Sequence, residues 1–130
     1  MHVEVFARNL VVLLPAGIGT APPRRMLDGG VVSARCYGAV VSTEPTGVVL
    51  VRRGTHLTVA DVFRSWGESL SATRLAGFTA PRGTRVRVYV GGRRQSEPAR
   101  LVPLTPNAEI VLELAPFVPP HAHYTFPSGG

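Results

Sequence analysis

The chain has 130 residues, 45% of them hydrophobic, enough for one globular domain with a single core and no covalent staples. Net charge is +6, and every basic residue is arginine: with no lysine anywhere, a Schiff-base lysine and a P-loop lysine are both excluded. The single cysteine, Cys36, cannot form an internal disulfide, and no apolar run approaches the roughly 18 residues of a membrane helix.

Residues 2–14 alternate on either side of an Ala-Arg-Asn break, which predicts a β-hairpin with His2, Glu4 and Phe6 on one face and Val3 and Val5 on the other. Residues 15–30 are rich in breakers, with Pro22–Pro23 and Gly29–Gly30, and read as a long loop insertion able to carry a binding surface. Strand character returns over 31–42, a turn follows at 43–47, and 48–51 runs back as a partner strand.

The stretch THLTVADVFRSWG holds the one clear helix, over about 58–67. Thr58 is a suitable N-cap with Asp61 three residues on, and Gly67 suits the left-handed end. Val59, Val62, Phe63 and Trp66 fall at i, i+3, i+4 and i+7, one apolar stripe that must lie on a sheet. Residues 71–77 are ambiguous, and 78–84 read as loop. Arg85–Val90 alternates, with Val86, Val88 and Val90 inward and Arg85, Arg87 and Tyr89 outward. Gly91–Gly92 makes a hairpin turn, and 108–114 (AEIVLEL) is the last strand.

Paired strands, one helix and further strands without a βαβ series predict a single α+β domain over 1–115, with a mixed or mainly antiparallel sheet and a Pro/Gly-rich tail over 116–130. The element order looks like a β-grasp, the ubiquitin-like arrangement. The N-terminal hairpin is then either an addition to it or its first strand pair. The segments HVEVFARN, PAGIG, EPTGVV, DVFRSWG, VRVYVGGRR, EIVLEL and YTFP together resemble a family of small uncharacterised bacterial proteins, over nearly the whole chain. The resemblance implies no established activity. Family members carry a His-x-His opening strand and a His-Thr-His-Asp cluster, and many carry a leader or membrane anchor. Here only His2 remains of the first cluster, and Val41-Ser42-Thr43-Glu44 stands in place of the second. As written the chain reads as cytoplasmic; a removed leader would make it extracytoplasmic.

No nucleophile elbow, no locally fixed Cys-His pair and no pair of carboxylates with a shared pocket is visible, so no enzyme and no cofactor is expected. A metal site would have to gather His2, Cys36, His121 and His123, and solvated histidines are the simpler expectation. The arginine pairs 24–25, 52–53 and 93–94 lie in separate segments without interleaved aromatics, which argues against nucleic acid as the partner. The reading that follows is a small binding module for another protein, using Arg85, Arg87 and Tyr89, the 15–30 segment or a sheet edge. The alternative is a ubiquitin-like modifier or sulfur carrier acting through the terminal Gly129–Gly130, since side-chain-free residues thread a narrow enzyme channel.

Overall fold

The computed structural model describes residues 1–117. Strands β1 (His2–Ala7) and β2 (Leu10–Val12) form the N-terminal hairpin, closed by Arg8 and Asn9, both with φ in the left-handed region (53° and 63°). Twisted two-residue hairpins need that conformation. The strand pair belongs to the main sheet. With β8 (Arg87–Val90), β9 (Arg93–Arg94) and β10 (Glu109–Glu113), it builds a five-stranded sheet in the order β2-β1-β10-β8-β9. The β1–β10 pair is parallel and the other three are antiparallel. The domain is thus a single-helix, strand-rich α+β unit with a mixed sheet.

The helix α1 (Val59–Trp66) starts as its sequence dictates: the Asp61 Oδ2 accepts from the Thr58 N–H at 2.8 Å, satisfying a donor that the first turn leaves open. Gly67 ends it at φ 84°, its N–H donating to the Phe63 carbonyl at 2.8 Å. Val59, Val62 and Phe63 are buried, while Trp66 is half-buried with its ring centroid 5.4 Å from that of Phe63. This stripe joins one core with Val3, Val5 and Ala7 of β1, Val88 of β8, and Ile110 and Leu112 of β10. Every residue of β10 is buried, as expected of a strand covered on both faces.

The 15–30 segment is not a loop. Ile18–Leu27 forms strand β3, paired antiparallel with β4 (Gly30–Ser42) around a turn at Asp28–Gly29. The prolines that suggest a loop sit at a register break between Ala21 and Arg24, where the ladder asks for no N–H from them. Two further register breaks bend the hairpin until it doubles back: the Val31 N–H donates to the Thr43 carbonyl at 2.7 Å. At the crossing, Gly19 (φ 73°) leaves no room for a side chain, since a Cβ would stand 1.8 Å from the Val40 carbonyl oxygen. Strand β5 (Leu50–Val51) pairs with β4, as the sequence pattern predicts.

Two smaller differences follow the helix. The ambiguous stretch and the expected 78–84 loop contain a miniature hairpin, β6 (Arg74–Leu75) with β7 (Phe78–Thr79), turning on Ala76–Gly77 in the left-handed region. Strand β8 begins at Arg87, so Arg85 lies just ahead of it. A 3-10 turn, Ala99–Leu101, then links β9 towards β10.

Candidate functional site

Two constellations of polar side chains stand out, one buried and one open. The buried one begins at His2. Parallel register places His2 opposite Glu109, and both are almost fully buried, at 5% and 4% exposure. The imidazole Nδ1 lies 3.0 Å from each Glu109 carboxylate oxygen, and Nε2 lies 3.0 Å from the Thr46 carbonyl oxygen. Both ring nitrogens therefore face acceptors, an arrangement that the doubly protonated imidazolium satisfies by donating to each. Glu4, two residues along the same face, comes within 3.7 Å of Nδ1. Gly47 (φ 81°) permits the close approach of the 46–47 turn, for a Cβ there would meet the Val3 carbonyl oxygen at 2.7 Å and Nε2 at 2.9 Å. The Met1 ammonium donates to the Val49 carbonyl at 3.0 Å; burial lowers its pKa below 8.0, partly offset by the negative charge of Glu109.

Chemically this is a charge lock. It ties β1, β10 and the 46–49 segment together at the start of the sheet. Among the described residues, the side chains able to share a metal ion are His2, Glu4 and Glu109, with ligand atoms within 4.8 Å of one another. His2 is thus buried and bonded, not solvated. Cys36 is exposed on β4, opposite Ala21 in a different sheet, and does not belong to this group. His121 and His123, with Gly129 and Gly130, lie outside the described residues.

Glu109 is the residue that sequence reading missed. In AEIVLEL its alternation marks an outward, solvated carboxylate, and only the two-sided burial of β10 turns it inward. The spacing of His2 and Glu4 was legible because two-residue separation on a strand fixes one face.

The open constellation is a cleft of about 520 Å³ at the opposite edge of the sheet. Arg85, Arg87, Arg94 and Arg100 line it, with Glu97 as its one carboxylate. The expected surface residues Arg85 and Arg87 do come together there, and two further arginines join them from β9 and the 3-10 turn. Tyr89 is half-buried on β8, opposite Arg94, and outside the cleft lining. Arg87 stacks its guanidinium 3.6 Å from the centroid of the Phe117 ring. A second concavity, about 240 Å³, runs between β2 and the 46–47 turn, with Phe6, Val11 and Leu13 among its walls.

No family model, curated protein or solved structure matches the chain. Function rests on the site chemistry alone.

Proposed function

We propose that the protein is a non-enzymatic binding module of β-grasp type that takes up an extended segment of a partner protein along β2. The strand order β2-β1-β10-β8-β9 with a parallel central pair, and one helix packed on one face, supports the β-grasp reading. The observation that carries the binding reading is the edge strand itself. Leu10 and Val11 on β2 and Leu13 just past its end are 69%, 57% and 66% exposed, and the outer side of the strand is unpaired among the described residues. Exposed apolar side chains on a free edge invite strand addition, which soluble domains ordinarily block with charges. The neighbouring groove, walled by Phe6, Val11 and Leu13, suits an apolar side chain of the added strand.

Register makes the test specific. Ala7 and Leu10 close the two-residue turn as a hydrogen-bonded pair, so Phe6 and Val11 form the next, non-hydrogen-bonded pair. The Val11 N–H therefore points to the open edge, and Val11→Pro removes an outward donor without breaking the hairpin ladder. A photo-crosslinker placed at Leu10 or Leu13 in host cells is expected to capture one partner through one contiguous segment. Val11→Pro should abolish that adduct while leaving the circular-dichroism spectrum and melting temperature near wild type. Equal capture from a control position at Arg82, or an adduct indifferent to Val11→Pro, refutes the proposal.

The same strand order favours a second reading, a ubiquitin-like carrier acting through Gly129–Gly130. Intact-mass analysis after incubation with host lysate and ATP tests it, with a Gly130-deleted control. Adducts or a thiocarboxylate mass shift confined to the full chain support the carrier; an unchanged mass rejects it.

A further inference from the structure

The geometry points to a second ligand site: the arginine cleft at the β8–β9 edge binds a small molecule carrying at least two oxyanion groups, phosphate or carboxylate. Four arginines line one concavity from four places in the chain: Arg85 before β8, Arg87 within it, Arg94 on β9 and Arg100 on the 3-10 turn. Like charges gathered on a concave surface repel one another, and low-dielectric walls focus their field. Two carboxylates, Glu97 in the lining and Glu113 across the ladder from Arg87, do not offset four cations. Among the described residues, Arg85, Arg94 and Arg100 have no carboxylate within 4.0 Å; the arginine that has one is Arg64, paired with Asp61 at 2.7 Å.

The cleft also holds its groups in place. Arg87 is pinned by stacking on Phe117, which engages the guanidinium face and leaves its N–H edges to donate in plane. Glu113, fully buried, is its cross-strand neighbour on β10 and projects from the same face of the sheet. The Gln95 N–H donates to the Val88 carbonyl at 2.9 Å, which continues the β8–β9 ladder past Arg94 and fixes that wall. Ser71 adds a hydroxyl at the rim; its Oγ accepts from the Arg74 N–H at 3.1 Å, which leaves its own proton to donate outward. Planar arginine forks match phosphate and carboxylate oxygens two at a time, so ligands with two or more such groups gain over those with one.

Size separates this ligand from nucleic acid. About 520 Å³ lies within the range of small-molecule sites. The remaining arginine pairs, Arg24–Arg25 on β3 and Arg52–Arg53 after β5, sit on other elements and do not extend the cleft into a track along a backbone.

This site lies at the far edge of the sheet from β2 and stands independently of the strand-addition reading. Isothermal titration of the full chain with inorganic pyrophosphate, inorganic phosphate and citrate tests it, at low and at physiological salt. Pyrophosphate or citrate is expected to bind saturably at one site per chain, and whichever binds tighter identifies the oxyanion class. Arg94→Ala should weaken that ligand about tenfold, and Arg94→Ala with Arg100→Ala about a hundredfold, as expected for lost charge-assisted hydrogen bonds. Arg94→Lys with Arg100→Lys keeps the charge and loses the forks, and should fall in between. Arg52→Ala with Arg53→Ala removes the same charge elsewhere and should leave binding within about twofold. Val11→Pro should change nothing, so failure here and failure of strand addition are separately visible. The proposal is overturned if none of the three anions binds saturably, or if the 52–53 pair matters as much as 94 and 100. It also fails if a short single-stranded oligonucleotide binds more tightly than pyrophosphate and loses affinity with both pairs.

Discussion

Replacing Glu109 by alanine is the sharpest test of the buried charge lock. The carboxylate side chain is 3% exposed and the His2 side chain 6%, so neither group can recover its lost partner from water. Glu109 gives both oxygens to Nδ1 at 3.0 Å and partly offsets the charge of the Met1 ammonium. Removing one member of a buried pair costs about 3–5 kcal/mol, towards the lower end here because Glu4 still lies 3.7 Å from Nδ1. For a chain of this size about 4 °C of melting temperature accompanies each kcal/mol, so the midpoint should fall by roughly 12–20 °C. Chemical denaturation of the wild type, Glu109→Ala, His2→Ala and the double variant closes a cycle. The double variant should be less destabilised than the two single changes summed, by about 2 kcal/mol or more, because both changes remove the same interaction. A Glu109→Ala loss under about 1 kcal/mol, or strict additivity in the cycle, would refute the lock and mean that the sheet closes by its apolar residues alone.

Gly19→Ala should cost several kcal/mol and loosen the doubled-back hairpin, because the new Cβ would meet the Val40 backbone oxygen and carry a φ of 73°. Hydrogen exchange at Val31 and Arg52, whose amides bond across that fold at 2.7 and 2.8 Å, reports it; protection equal to wild type contradicts the crossing geometry. The Met1 amine has a folded pKa below 8.0, so between that folded value and 8.0 the unfolded chain binds more protons than the native one. Its contribution should therefore raise stability with pH up to 8.0 and add nothing above it, and a residue fused ahead of Met1, which turns the amine into an amide, should remove that slope. An identical pH profile for the fused and unfused chains would show the amine to be exposed.

The helix, its caps and its stripe were legible because 3.6-residue periodicity, an acid three residues after Thr58 and a closing glycine all point the same way. The N-terminal hairpin was legible for a similar reason, with two residues tolerating the turn between alternating runs. Strand β3 was not. Pro22, Pro23 and two arginines erase its alternation, and what makes it a strand is β4 lying alongside, with the prolines placed at a register break. The cleft arginines show the same limit: Arg85 and Arg87 are recognisable as one strand face, but Arg94 and Arg100 join them only through the hairpin at Gly91–Gly92 and the 3-10 turn. Glu109 illustrates it from within the core. Its inward role depends on His2, 107 positions away, and no local pattern reports a partner at that distance.

That separation also sets the order of events during synthesis. The centre of the sheet is the pairing of β1 with β10, the first and the last strand among the described residues. At roughly 5–20 residues per second the ribosome needs about 5–20 s to make the intervening chain. For that interval Val3, Val5 and Ala7 have only β2 and whatever the helix offers, and the flank that will meet β10 stays open. Closing so long a loop also slows folding once the last strand emerges. A nascent chain stalled before Glu109 therefore presents an unfinished apolar sheet, and the Val3, Val5 and Ala7 flank is covered only when β10 arrives.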